Sequence, residues 1–153
     1  MGSGSAPQSR SRLYQRTVEG SPAQVYDFAA MARPPLISIV DDDDSLRISL
    51  ASLIRSVGFT ALSFTSAEAF LGSTQAHESD CLLLDVRMPG MNGLELQRHL
   101  AAANWLLPII FITSHADDDA RAAALAAGAV GFLDKPFRDD ELLNLMEAAL
   151  RTP

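Results

Sequence analysis

Cysteine and lysine are almost missing from this chain: one of each, Cys81 and Lys135, stands against eleven arginines. A single thiol excludes an internal disulfide and fits a reducing compartment. Positive charge is short overall. The net charge of −7 leaves no basic stripe to meet phosphates, which argues against nucleic-acid binding by this chain on its own. No apolar run reaches the roughly 20 residues that a membrane-spanning helix needs. The N-terminus also lacks the apolar core of a secretory signal, so a cytoplasmic protein with no membrane partner is expected. What remains is ordinary: 153 residues, 48% hydrophobic, enough for one domain with its own core.

Carboxylates are plentiful, and their placement is uneven. The run Ile37-Ser38-Ile39-Val40 leads straight into Asp41-Asp42-Asp43-Asp44, and Ser45-Leu46-Arg47 then opens a helical pattern. Packed carboxylates repel, and each raises its neighbour's pKa unless positive charge intervenes. Asp43 and Asp44 suit the start of the following helix, where the dipole favours acids. Asp41 and Asp42 sit directly on the strand end. From this stretch alone they are open to two readings, a solvated turn or a cation site.

Residues 1–35 read as a leader or extension. Met1-Gly2-Ser3-Gly4-Ser5 resembles an added leader, and the polar segment to Gly20 has no clear period. A short helix over 22–32 is expected, with Ser21 as N-cap and Pro22 in the first position, until Pro34-Pro35 stops it. A native extension and added sequence ahead of a start at Met31 both stay open.

From 36 to 150 strand and helix signals alternate as one domain. Strands are expected over 36–40, 59–64, 81–84, 108–112 and 130–133. The first helix runs from about Ser45 to Val57, with Leu46, Leu50, Leu53, Ile54 and Val57 on one face and Gly58 as its stop. Thr65-Ser66-Ala67-Glu68 is a capping-box pattern for the second. The third carries Leu96, His99, Leu100 and Ala103, the fourth spans Asp117 to Ala127, and Asp139 or Asp140 caps the last. Five βα units predict a parallel sheet with helices on both faces.

Open α/β sheets bind ligands at the carboxyl ends of their strands. Those ends carry Asp41 and Asp42, then Asp85, then Thr113 and Ser114, then Lys135; the second strand adds nothing comparable. Three close carboxylates need a hard divalent cation, and an all-oxygen set favours Mg²⁺ over zinc. His77, His99 and His115 show no ligand spacing, and His99 is expected to pack on its own helix. An aspartate beside such a cation and a lysine can attack a phosphoryl group, with the Thr113 hydroxyl bonding a phosphoryl oxygen.

Val40-Asp41-Asp42, Leu84-Asp85-Val86-Arg87-Met88-Pro89-Gly90-Met91-Asn92-Gly93, Ile112-Thr113 and Lys135-Pro136-Phe137 resemble the receiver domain of two-component response regulators (CheY-like). The likeness covers roughly Leu36 to Leu150. Met88 to Gly93 and the run Ile112 to Asp117 are similar to the nitrogen-fixation and nodulation regulators of the FixJ type. The resemblance implies a flavodoxin-like (βα)5 three-layer sandwich with sheet order 2-1-3-4-5. It implies Asp85 as phospho-acceptor, supplied by a sensor histidine kinase, and Mg²⁺ (Mn²⁺ in substitution) held by Asp42, by Asp41 through water, by Asp85 and by the Arg87 backbone carbonyl. Lys135 would pair with the phosphoryl group across a cis bond to Pro136, Thr113 would be the switch hydroxyl and Phe132 the aromatic that follows it. Arg87 is expected to alter the lifetime of phospho-Asp85. The face made by the fourth helix, fifth strand and fifth helix would serve a phosphorylation-dependent homodimer or an output partner.

Two other classes fit less well. A phosphatase of the haloacid-dehalogenase type wants its nucleophile after the first strand, within Asp-x-Asp, whereas Asp85 follows the third. A flavodoxin wants hydroxyls and N–H groups in the first loop, which is acidic here. FixJ-type regulators continue into a DNA-binding domain, and the sequence leaves open whether a longer protein does so here.

Overall fold

The computed structural model describes residues 33–114 and 117–151, so the expected helix over 22–32 lies outside the described residues. The elements run β1 (Leu36–Val40), α1 (Asp44–Ser56), β2 (Thr60–Phe64), α2 (Ala67–Leu71), a 3-10 turn (Gln75–Glu78), β3 (Cys81–Leu84), α3 (Gly93–Ala102), β4 (Ile109–Thr113), α4 (Asp118–Ala126), β5 (Gly131–Asp134) and α5 (Asp139–Arg151). All strand pairs are parallel and the order is β2-β1-β3-β4-β5, the flavodoxin-like arrangement expected.

β1, β3 and β4 are buried along their whole length, as continuous apolar strands covered on both faces must be. Alternate side chains feed two cores. Ile37, Ile39, Leu83, Ile110 and Ile112 pack with Leu50 and Ile54 of α1 and with Leu142 and Met146 of α5. Val40, Leu82, Leu84 and Phe111 pack with Phe70 of α2, Leu96 and Leu100 of α3 and Ala124 of α4. Each such aliphatic side chain contributes about 1.5–3 kcal/mol on burial. α4 is the exception, since Ala124 is its only buried residue. Polar bonds make up part of the difference: the buried Gln97 Nε2 of α3 donates to the Ala124 carbonyl at 3.0 Å.

Helix ends follow local chemistry, with departures from expectation. Asp43 caps α1, accepting from the N–H groups of Ser45 and Leu46, and Gly58 beyond it takes φ +94°. Ser66, not Thr65, caps α2, and Glu68 bonds Met91 instead of closing a capping box. Asn92 and Glu95 form the reciprocal box at α3. Asp139 and Asp140 lie in the first turn of α5, and it is the Arg138 N–H that Glu141 binds. His99 is exposed, because Leu96, Gln97 and Leu100 hold the inner face of α3.

Candidate functional site

The hydrogen-bond ladder continues one residue past the strands and sets the carboxylates side by side. The Asp41 N–H donates to Phe64 O at 3.2 Å, the Asp85 N–H to Val40 O at 3.0 Å, and the Lys135 N–H to Thr113 O at 2.9 Å. Carboxylate oxygens of Asp41, Asp42 and Asp85 all fall within 4.8 Å of one another, the one such cluster of potential metal ligands among the described residues. Asp41 and Asp85 are 2% and 7% exposed, while Asp42 is open to solvent. The Lys135 Nζ lies 3.3 Å from Asp41 Oδ2, and the Lys135–Pro136 bond is cis. The Asp43 N–H donates to the other Asp41 oxygen at 2.8 Å. The four acids thus divide: Asp41 and Asp42 face the cluster, Asp43 caps α1, and Asp44 pairs with Arg47.

Electrostatics make this cluster costly as it stands. Burial, reinforced by the charge on Asp41, pushes the Asp85 carboxyl up to about 6, against the pull of Lys135, the Arg87 N–H and the Thr113 side chain. One ammonium shared among three carboxylates leaves an excess of negative charge. An all-oxygen set with that excess, open on the Asp42 side, fits a hard divalent cation and does not fit zinc.

The neighbouring elements place the other expected residues. Thr113 is buried at the end of β4 and Ser114, next to it, is exposed. The exposed Arg87 side chain reaches Asp117 at 3.6 Å, tying the β3–α3 loop to the start of α4. Phe132, half-buried on β5, stacks on Phe111 at 5.7 Å. An open groove of about 750 Å³ runs from Lys135, Pro136 and Phe137 along α1, past Leu46, Leu53 and the exposed Ile48. His77 is remote from ligand duty, stacked on Trp105 at 4.3 Å.

Arg121 is a further residue near this edge that no motif in the sequence marks. Its guanidinium lies 4.7 Å above the Phe132 ring and 2.5 Å from Asp134 Oδ2, clamping α4 to β5. The available signal was that Arg121 is the only long cationic side chain in the alanine-rich helix. Glu68, whose spacing predicts a capping role, instead accepts from the Met91 N–H.

With this geometry in place, similarities to known proteins take on meaning. Residues 37–147 match the family model described as the response regulator receiver domain. Nodulation protein W of Bradyrhizobium diazoefficiens is 49% identical over 114 residues, which are 74% of this chain and 50% of that protein. Response regulator protein TodT of Pseudomonas putida is 45% identical over 119 residues, 78% of this chain and 52% of TodT. The crystal structure of FixJ-N superposes with a TM-score of 0.71 at 37% identity, covering 79% of this chain and 97% of that one. The chain spans about half the length of the curated relatives it matches.

Proposed function

The chain belongs to the response regulator receiver domain family, a class of two-component signalling module, and from that premise we propose that Asp85 accepts a phosphoryl group from the phosphohistidine of a sensor histidine kinase. The observation that carries this reading is the grouping of a buried Asp85 with two further carboxylates, one of which, Asp41, pairs with the chain's single lysine. In the reaction a carboxylate oxygen of Asp85 forms the new O–P bond as the N–P bond of the donor breaks, and the imidazole leaves with the electron pair.

Asp85 attacks only as the carboxylate, so its raised affinity for a proton has to be offset. Asp41, Asp42, Asp85 and the Arg87 carbonyl would hold Mg²⁺, or Mn²⁺ in its place. The bound cation supplies the positive charge that keeps Asp85 ionised and offsets the phosphoryl oxygens. Lys135 adds an ammonium at the same edge. The Thr113 hydroxyl, with Ser114 beside it, would bond a phosphoryl oxygen. The groove along α1 gives a protein donor access to Lys135. The chain acts on its own phosphorylation and dephosphorylation and is otherwise a switch, not an enzyme with turnover on free substrates.

Phosphorylation adds about −1.5 to −2 of charge at the strand edge. Movement of Thr113 and Phe132 carries that change to the α4–β5–α5 face, which then dimerises or controls an output partner. Regulation of transcription, as in the relative named transcriptional regulatory protein FixJ, is the output we assign to this switch. Incubation with acetyl phosphate and Mg²⁺, read by intact mass, should add one phosphoryl group to the wild type and none to Asp85→Asn. A phosphoryl group that persists in Asp85→Asn would refute the assignment.

A further inference from the structure

We propose that Glu68 of α2 is a positioning residue for the Asp85 site, holding the β3–α3 loop in the shape that presents the Arg87 carbonyl and Asp85 to a divalent cation. The inference rests on the reading of Asp85 and its neighbours as a phosphorylation site. It adds a residue from an element that contributes no side chain to that site.

The loop from 86 to 92 leaves Asp85 and must return to start α3 almost on top of it. At Gly93, where α3 begins, a Cβ would stand 2.1 Å from the Asp85 carbonyl oxygen, so the two backbones touch. Any shift of residues 91–93 is therefore transmitted to Asp85. Three consecutive N–H groups fix this return. Asn92 donates to Glu95 at 2.8 Å and Gly93 to Val86 O at 2.9 Å, both within the loop and its own helix. Met91 donates to Glu68 Oε2 at 2.9 Å, from an element 23 residues earlier in the chain. Of the three, that bond alone ties the loop to the rest of the fold. The fit is close: Gly90 takes φ +77°, and a Cβ there would lie 2.8 Å from the same Glu68 oxygen. The Met91 N–H also holds the Glu68 carboxyl below its ordinary pKa, as a charge-assisted bond should. Ser66 caps α2 by accepting from the Ala69 N–H, which leaves Glu68 unneeded for capping and directed at the loop.

The test is a calorimetric titration of Mg²⁺ without any phosphodonor, on wild type, Glu68→Ala, Glu68→Gln and Ser66→Ala. Glu68→Ala should weaken Mg²⁺ binding roughly tenfold, the lower range for partners that orient metal ligands from outside. Glu68→Gln keeps an acceptor oxygen for the Met91 N–H and should stay near wild type. Ser66→Ala removes the cap of the same helix, so it should lower the melting temperature yet leave Mg²⁺ affinity unchanged. Wild-type affinity in Glu68→Ala overturns the proposal. So does equal weakening in Ser66→Ala, which would mean that general loosening of α2 is responsible, and so does a Gln variant as weak as Ala. Failure of the underlying reading looks different: the wild type itself would bind no Mg²⁺, or Asp85→Asn would still be phosphorylated.

Discussion

Two aspartates flank β3, Asp80 just before Cys81 and Asp85 just after Leu84, and the fold treats them in opposite ways. Asp80 is satisfied by the protein itself. Its carboxylate accepts from the Leu36 N–H at 2.8 Å and from Arg33 at 2.9 Å, which closes the start of β1 against the start of β3. The Ser38 and Ser79 hydroxyls bond each other at 2.6 Å beside it. Asp85 is buried next to Asp41, competes with it for Lys135, and is pushed up to about 6. The same side chain at the two ends of one strand is a brace in one place and a liability in the other. A fold tolerates such a liability where a ligand supplies the missing charge, and the parallel sheet puts that place at the carboxyl ends of its strands.

The largest effect should come from removing the liability. Asp85 binds a proton more tightly in the folded chain, at about 6 against an ordinary 3.8. Between those values the folded state holds more protons than the unfolded one, so stability falls as pH rises through this window. Above it the loss is complete, on the order of 3 kcal/mol for about two pKa units. Asp85→Asn in metal-free buffer should therefore be more stable than wild type by up to about 3 kcal/mol at pH 7. The gain should shrink to nearly nothing by about pH 3, below both values, where the wild-type carboxyl is largely protonated in both states. Urea unfolding at the two pH values measures it, and equal stabilities at pH 7 would remove the contrast between the two aspartates. Added Mg²⁺ should narrow the gap, because it stabilises only the chain that keeps the full ligand set.

The brace should show the opposite sign. Asp80→Ala leaves the Leu36 N–H without its carboxylate and should destabilise by about 1–2 kcal/mol, somewhat below the usual figure for a charge-assisted bond because the site is partly exposed. The loss should hold across neutral pH and be indifferent to Mg²⁺. A Mg²⁺-sensitive loss would mean that the two ends of β3 are not independent.

The sheet and its acidic edge could be read directly from the chain. Alternating strand and helix signals dictate the architecture, and strand ends gather whatever polar residues follow them, so Asp41, Asp85, Thr113 and Lys135 could be grouped without coordinates. Contacts between distant elements could not. Thr65-Ser66-Ala67-Glu68 satisfies the spacing of a local capping box, yet Glu68 reaches Met91. Arg121 sits in a helix that reads only as alanine-rich, and its partners Phe132 and Asp134 are on β5. Asp80 carries no local signal that separates it from any loop acid; its role depends on Leu36, 44 residues earlier. Patterns of period and spacing encode which face a residue occupies, not which side chain another element brings to it.

The smallest expected effect separates the two partners of Asp80. Arg33 lies on the solvent side of the brace, its side chain 47% exposed, and it also donates to the Glu78 carbonyl at 2.9 Å. An ion pair that open to water is worth about 0.2–1 kcal/mol and is screened by salt. Arg33→Ala should therefore destabilise by less than about 1 kcal/mol, and less still in high salt. A double-mutant cycle with Asp80→Ala should return a coupling of similar size, leaving most of the Asp80 contribution to the Leu36 N–H. A coupling well above about 1 kcal/mol would reverse that division. The start of the sheet would then be held by charge, and the difference between the two aspartates would lie only in how many carboxylates share the one cation at each end.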